Sequence, residues 1–435
     1  MITCKTSRLG NGLRLVAVEM PHLHSAEIAV YLKVGGRNDS RERAGMAHFV
    51  EHMLFRGTED YPTTLELETA FEVIGGSVNA STDEESTCFF SRVHPDRVAE
   101  GIAIFASMLC RPTLPGLATE RRIIVEEALE DINERGEEVN THNLASRLLW
   151  PGHPLGMPTI GYLESIRAVS EEDLKEYLAR HYVPDNAVAV AAGNMKADDF
   201  FTACESAFGG WRGALPPVPE LSYHLQFEPQ MLFVDDSDSQ MHLQIAFRGF
   251  ARGDGRRIMA ARLIRRILCG GGSSRLHLAL RERLGIVYSV EASIAAYEET
   301  GSFAIELSTS PDNLAQAVKE VLHHTLSIAS EPLSGDELER VRNSYFYDLD
   351  YSRDSTYEMQ VRYGWGELMG MVRNIEEDYA EASAIDSEAL QDVAATLFAP
   401  ANLNMVAVGP CQTASRMAVE QEVELYARKW VTEVR

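Results

Sequence analysis

The chain has 435 residues, of which 45% are hydrophobic and 24% are charged. This length exceeds what one hydrophobic core needs, so we expect at least two globular domains and exclude a disordered or fibrous chain. Because 65 acidic residues outnumber 40 basic ones, the net charge is -25, which disfavours a nucleic-acid backbone or an anionic membrane as partner.

The first half of the chain alternates strand and helix patterns. A strand is predicted over residues 26–34, and two glycines end it. Helices are predicted from about Arg43 to Phe55 and from about Leu65 to Ile74. The segment GGSVNASTDEESTCFFSRV then predicts a hairpin, and PDRVAEGIAIFASMLCRP predicts a helix ended by proline.

The same order of elements returns after residue 230. A strand at MHLQIAFRGF, a helix at RRIMAARLIRRILCGGG, a long hairpin and a helix opening with Pro-Asp follow one another. This repetition indicates an internal duplication. We therefore predict an α+β fold of two homologous domains, residues 1–212 and 226–435, each a mainly antiparallel sheet covered by helices. Residues 213–225, rich in proline, are the predicted linker.

The six cysteines are far apart and include no C-x-x-C pair. This pattern is typical of scattered core thiols in a reducing compartment. The first twenty residues lack the apolar stretch of a signal peptide, and no run approaches the length of a membrane span. We expect a soluble, cytoplasmic protein.

The segment AGMAHFVEHMLFRGTEDYP contains His48, Glu51 and His52 in the order His-x-x-Glu-His. Histidines four apart on a helix share one face and can direct both imidazoles at one metal ion. Glu51 is offset from that face, so it can reach a metal-bound water without being a ligand. The alternative is a surface helix without metal, but its flanking residues are apolar nearly all round, which predicts burial.

A catalytic zinc site needs a third protein ligand. The segment ATERRIIVEEALEDINERGEEVN predicts a long helix with Glu120 and Glu127 two turns apart. Ile123, Ile124, Ala128 and Ile132 mark its predicted apolar face, so one of these carboxylates could point inward. A solvated acidic face is the alternative.

Taken together, His48, Glu51, His52 and Glu127 resemble the motif of the pitrilysin and insulinase family of zinc peptidases, which includes the mitochondrial processing peptidase. Members of this family are called inverzincins because their H-x-x-E-H motif is the reverse of the H-E-x-x-H motif of thermolysin. The segment GGSVNASTDEESTCFF resembles the family's substrate-pairing edge strand, with Asn79, Ala80, Thr82, Glu85 and Thr87 in the expected places. Phe89 stands where the family often has tyrosine. The segment HPLGMPTIGYLESI also matches, and we expect its His153 to be structural.

The resemblance implies a role for each of these residues. His48, His52 and Glu127 would bind one zinc ion per chain, Glu120 would orient a ligand, and Glu51 would be the general base. Residues 79–82 would bind the peptide substrate as an added strand. The site belongs to the first half alone, because the matching helix of the second half lacks the motif.

In the second half, GGGSSRLHLALRERLGIVYSV resembles the family's glycine-rich loop with its arginine and tyrosine, here Arg281 and Tyr288. The resemblance implies that Arg281 holds a substrate carbonyl and that Tyr288 donates a hydrogen bond to the oxyanion. Larger relatives enclose a chamber with four such domains. We therefore expect a homodimer, with a heterodimer of related subunits as the alternative, and an unfolded peptide substrate with basic segments.

Three alternatives remain from the sequence. The first is a catalytically inactive core subunit, which would be expected to lack some of the ligands or the base. The second is a structural zinc module, although such sites usually have four ligands rich in cysteine. The third is a dedicated maturation protease with the same chemistry and one precursor as its substrate.

Overall fold

The computed structural model describes residues 2–214, 226–410 and 412–434. Residues 215–225 of the predicted linker lie outside the described residues, as does Cys411. The chain forms two compact units. The first comprises the described residues of Met1–Glu130, Met157–Leu221 and Leu349–Asn374, and the second those of Asp131–Gly156, Ser222–Asp348 and Ile375–Arg435.

The strands of the described chain form two sheets, one in each unit. They are β1 (Thr3–Arg8), β2 (Arg14–Glu19), β3 (Ala26–Leu32), β4 (Asn79–Thr82), β5 (Thr87–Val93), β6 (Ala187–Gly193), β7 (Gln230–Asp235), β8 (Met241–Arg248), β9 (Val287–Ala296), β10 (Gly301–Thr309) and β11 (Leu403–Gly409).

The described helices cover the sheets and connect their strands. They are α1 (Met46–Leu54), α2 (Thr64–Val73), α3 (Val98–Cys110), α4 (Leu117–Leu129), α5 (Thr141–Leu149), α6 (Leu163–Ala168), α7 (Glu171–His181), α8 (Ala197–Phe208), α9 (Gly255–Cys269), α10 (Leu314–Ser330), α11 (Gly335–Ser352), α12 (Thr356–Gln360), α13 (Gly366–Leu368), α14 (Ile375–Ser383), α15 (Ser387–Leu397) and α16 (Thr413–Glu433). Residues His277–Arg283 and Val361–Trp365 form π-helical turns.

The sheet of the first unit has the strand order β1-β2-β6-β3-β5-β4. Its β2 and β6 are parallel, and all other neighbours are antiparallel. Every residue of β3 and β6 is buried, so helices cover both faces at the centre of the sheet. Helices α3, α8 and α12 pack on these and neighbouring strands. The short strand β4 is left at one edge of the sheet.

The sheet of the second unit has the order β7-β11-β8-β10-β9, again with one parallel pair, β7 and β11. Helix α5 packs on β8 and β11, and α9 packs on β9. Trp150, which follows α5, contacts the ring of Tyr297 edge-on, with centroids 5.3 Å apart. This packing explains why residues 131–156, early in the chain, belong to the second unit.

The predicted α+β fold of two similar units is confirmed. The strand, helix and hairpin expected around the motif correspond to β3, α1 and the β4–β5 pair, and their counterparts are β8, α9 and β9–β10. The predicted boundaries at residues 212 and 226 follow chain order, whereas each compact unit also includes a segment from the opposite half. None of the described helices has the length and apolar character needed to cross a membrane.

The acidic helix is shorter than predicted. Helix α4 ends at Leu129, so Ile132 lies beyond it, and Ile123 is 46% exposed rather than part of the core. The chain turns because the Asn133 side chain accepts hydrogen bonds from the backbone N–H groups of Arg135 and Glu137. Such Asn turns compete with helix continuation.

Candidate metal centre

Helix α1 is fixed at its N-terminus by groups distant in sequence. Gly45, the N-cap residue just before the helix, has a φ of +89°, and a Cβ there would lie 2.3 Å from the carbonyl oxygen of Ile160. The buried carboxylate of Asp39 accepts hydrogen bonds from the Ala47 N–H at 3.3 Å and from the Tyr177 hydroxyl at 2.9 Å. This carboxylate takes the place of an N-cap side chain.

The two histidines of α1 face the same carboxylate. The rings of His48 and His52 have centroids 4.5 Å apart. The Nε2 atoms of His48 and His52 each lie 3.7 Å from an oxygen of Glu127 on α4. One ligand atom from each residue lies within 4.8 Å of the other two. The structure therefore brings these three predicted ligands together.

The separations between these atoms fit an ion better than direct hydrogen bonds. A distance of 3.7 Å exceeds that of a hydrogen bond between nitrogen and oxygen. Two ligands held about 2.1 Å from a tetrahedral zinc ion would be about 3.4 Å apart. The Glu127 side chain is 44% exposed, whereas that of His48 is 14% exposed. Two imidazoles and one carboxylate that faces solvent suit a zinc ion whose fourth coordination position is open to water.

The environment keeps His48 in the neutral form that a metal requires. Burial, and secondarily the neighbouring His52, lower the pKa of His48 to about 3. For His52, burial also lowers the pKa, but the hydrogen bond to Glu120 and the charges of three glutamates outweigh it and raise the pKa. The negative charge around His52 favours a cation at this place.

Glu120 orients His52 from the other side of the ring. Its Oε1 lies 2.9 Å from Nδ1 of His52. Because a carboxylate accepts and does not donate, Nδ1 carries the proton, and the Nε2 lone pair is directed to Glu127. Arg56 lies 3.4 Å from the second oxygen of Glu120. The arginine was not anticipated from the sequence, although it stands one turn after His52.

Glu51 is not one of the three described residues whose ligand atoms lie close together. It is 8% exposed, and burial raises the pKa of its carboxyl group. One of its oxygens accepts a hydrogen bond from the hydroxyl of Thr82, the last residue of β4. Sequence motifs predicted both residues, but not this contact between them.

The predicted substrate strand is at the edge of its sheet. In the described part of the chain, β4 pairs with β5 alone, with Asn79 opposite Phe90 and Thr82 opposite Thr87. Asn79 and Ser81 are exposed, while Ala80 and Thr82 are half-buried. The unpaired side of β4 leaves backbone groups available to an extended peptide.

The second unit brings Arg281 and Tyr288 together. The Arg281 guanidinium lies over the Tyr288 ring, 5.4 Å from its centroid. Arg281 belongs to a π-helical turn, a feature often found at functional sites, and Tyr288 is 85% exposed. His153, expected to be structural, is buried, and its Nε2 lies 3.1 Å from a Glu299 oxygen.

Two protein-family models match successive parts of the chain. The family model "Insulinase (Peptidase family M16)" matches residues 14–161, and the model "Peptidase M16 inactive domain" matches residues 168–345. An uncharacterized zinc protease of Bacillus subtilis is 29% identical over 393 residues, which is 89% of this chain and 94% of that protein.

Two solved structures share the fold. A protease from Helicobacter pylori has a TM-score of 0.87 at 18% identity, with 94% of this chain and 100% of that chain covered. A peptidase M16 inactive domain from Pseudomonas fluorescens has a TM-score of 0.86 at 18% identity, with 94% and 98% covered.

Proposed function

Because the chain belongs to the pitrilysin and insulinase family of peptidases, we propose that it is a zinc-dependent endopeptidase. The observation that carries this proposal is the convergence of His48, His52 and Glu127, with the buried carboxylate of Glu51 one residue before His52. The proposed substrates are peptides or unfolded segments of polypeptides.

His48, His52 and Glu127 would hold one zinc ion per chain. When bound, zinc lowers the pKa of a coordinated water and polarises a carbonyl group. Glu120 fixes the tautomer of His52, and Arg56 balances part of the Glu120 charge. The side chains thus present two imidazole lone pairs and one carboxylate to the same point.

Glu51 would act as the general base. Its carboxylate would take the proton of the attacking water and deliver it to the leaving amine of the cleaved peptide. Burial raises the pKa of Glu51, which favours holding that proton between the two transfers. The Thr82 hydroxyl binds one oxygen and leaves the other for the water.

The edge strand β4 would bind the substrate backbone. A peptide added alongside β4 would run past Thr82, whose hydroxyl contacts Glu51. This contact supports a substrate position next to the base. Pairing of this kind recognises the peptide backbone more than its side chains, which suits unfolded peptides of varied sequence.

Arg281 and Tyr288 would complete the binding of the substrate, as the family resemblance implies. Arg281 would hold a substrate carbonyl, and the Tyr288 hydroxyl would stabilise the oxyanion. Their contact with each other and the exposure of Tyr288 support a shared role.

The proposed assembly is a homodimer, because this chain carries the residues of both the zinc site and the Arg/Tyr pair. A heterodimer with a related subunit is the alternative. The net charge of -25 supports substrates with basic segments. Light scattering at micromolar concentration tests the assembly, and an active monomer would contradict it.

The experiment is hydrolysis of a quenched fluorescent peptide, with the Glu51→Gln protein as control. The wild type should cleave it, a chelator should stop cleavage, and zinc should restore it. Glu51→Gln should keep about one zinc ion and lose activity by about 10²–10⁴-fold. A wild type that binds zinc and cleaves no member of a peptide library would instead be an inactive core subunit. Cleavage of one sequence alone would indicate a dedicated maturation protease.

A further inference from the structure

The second unit contains an open pocket of about 380 Å³ beside the Arg/Tyr pair. Its walls come from α9, from the π-helical turn at residues 277–283 and from β9. Arg265, His277 and Arg281 line it together with residues 289–292 of β9. The pocket is therefore basic, although the protein has a net charge of -25.

Arg265 is the positive charge in this pocket that has no acidic partner in the described part of the chain. It is half-buried and forms no ion pair with any residue in the described part of the chain. Burial lowers the pKa of its guanidinium group. Its neighbour Arg266, in contrast, pairs with Asp348. A half-buried guanidinium without an anion is costly, and its fork-shaped donors match a carboxylate.

Other polar and charged groups lie in the pocket or next to it. Nε2 of His277 is 3.5 Å from Glu282, whose side chain is 57% exposed, and Arg281 is 3.8 Å from the same carboxylate. Glu291 of β9 also lines the pocket. Two guanidinium groups, those of Arg265 and Arg281, and one carboxylate, that of Glu291, line the pocket, so its wall favours an anionic ligand.

The pocket also adjoins a place where a peptide backbone can bind. Among the strands that the structure describes, β9 lies at an edge of its sheet and pairs with β10 alone. Residues 289–292, which line the pocket, belong to this strand. An extended peptide could pair with the free side of β9 while a terminal group enters the pocket.

We propose that this pocket binds the C-terminal carboxylate of the peptide substrate through Arg265 and His277, with Arg281 holding a preceding carbonyl. The inference rests on the proposed peptidase function. It makes Arg265 a residue that selects substrates by their C-terminus. A side-chain carboxylate of aspartate or glutamate has the same chemistry, so the test separates the two sources.

The test compares three forms of one quenched peptide: a free C-terminal acid, its C-terminal amide, and an amide ending in an added glutamate. The free acid should have a KM about ten- to hundredfold below that of the amide, because the amide lacks the charge-assisted contact. The two peptides should have a similar kcat. Arg265→Gln should raise the KM of the free acid to that of the amide and leave the amide unchanged. Arg265→Lys should restore part of the difference.

Two further variants act as controls. Arg262→Gln, an exposed residue of the same helix outside the pocket wall, should leave the preference for the free acid intact. Glu291→Gln should lower the KM of the free acid, because it removes a repelling charge. If Arg265 served only folding, the Arg265 and Glu291 variants would not change the KM of the free acid in opposite directions. The KM of the amide would also not stay unchanged in Arg265→Gln.

Equal KM values for acid and amide in the wild type would overturn the proposal while leaving the peptidase function standing. A glutamate-ended amide that binds as well as the acid would overturn the C-terminal assignment. If no peptide is cleaved, the peptidase function fails. In that case, fluorescence anisotropy can measure how tightly the protein binds a labelled peptide acid and the matching amide. Equal affinities would contradict the proposal that the pocket binds a C-terminal carboxylate.

Discussion

The hydroxyl of Thr82 donates a hydrogen bond to the carboxylate of Glu51. Thr82 ends the edge strand β4, and Glu51 lies on α1 between the two histidines. The candidate substrate strand and the candidate base are therefore joined by one contact. Thr82 would therefore also align the backbone of a peptide bound along β4 with Glu51, the candidate base.

Removing this hydroxyl should slow hydrolysis without removing the metal. Thr82→Val keeps the shape of the side chain but leaves a buried oxygen of Glu51 without its donor. We expect kcat to fall by about ten- to hundredfold, with zinc content unchanged by elemental analysis. Thr82→Ser, which keeps the hydroxyl, should retain most of the activity. Full activity in Thr82→Val would remove this contact from the mechanism.

Tyr288 should affect turnover more than binding. Tyr288→Phe keeps the aromatic ring over which Arg281 lies and removes only the proposed oxyanion donor. Loss of one such donor typically lowers kcat by about a hundredfold or more. Steady-state kinetics should show this fall with a nearly unchanged KM. An unchanged kcat would show that the hydroxyl takes no part in the reaction.

Glu120 should determine how tightly the metal binds. Glu120→Gln can still contact His52 but no longer offers a negative charge 2.9 Å from Nδ1. We expect zinc affinity, measured by competition with a chelator, to weaken by about 10–100-fold. Glu126→Gln, at an exposed position of the same helix, is the matched control and should leave the affinity unchanged. Equal affinity in both variants would contradict the orienting role.

Asp39 should make the stability of the protein depend on pH. Burial raises the pKa of its carboxyl group from 3.8 to about 7, against the opposing hydrogen bonds from Tyr177 and the start of α1. Between these values the folded state binds more protons than the unfolded state. The contribution of Asp39 is therefore most favourable below pH 4 and is lost as the pH rises to about 7.

The Asp39→Asn variant isolates this effect, because all other titrating groups are the same in both proteins. Relative to the variant, the wild type should lose unfolding free energy as the pH rises from 4.5 to 7.5. The loss over this range is about 3 kcal/mol, since one pKa unit corresponds to about 1.4 kcal/mol and the range covers most of the shift. Chemical denaturation at the two pH values measures it. A difference that stays constant, or grows in favour of the wild type, would contradict the raised pKa.

Local sequence patterns predicted the elements around the site well. The helix of His48 and His52 follows from its apolar spacing, and the hairpin that contains β4 follows from its turn residues and strand formers. Two histidines four apart must share a helix face, whatever the rest of the fold. The family resemblance added Glu127, which residue patterns alone left equivalent to Glu120.

Contacts between distant segments could not be predicted in the same way. The role of Glu120 depends on how α4 packs against α1, and Asp39 meets Tyr177 across 138 positions. The membership of residues 131–156 in the second unit depends on the packing of α5 on β8 and β11. No periodicity within a segment encodes which other segment it will contact.

An anomalous difference map, recorded from crystals of the zinc-loaded protein at the zinc edge, tests the central claim most directly. The predicted result is one peak per chain within about 2.0–2.2 Å of Nε2 of His48, Nε2 of His52 and an oxygen of Glu127. A peak with the Glu127 carboxylate several ångströms away, or no peak at this place, would contradict the proposed metal centre and the hydrolysis that depends on it.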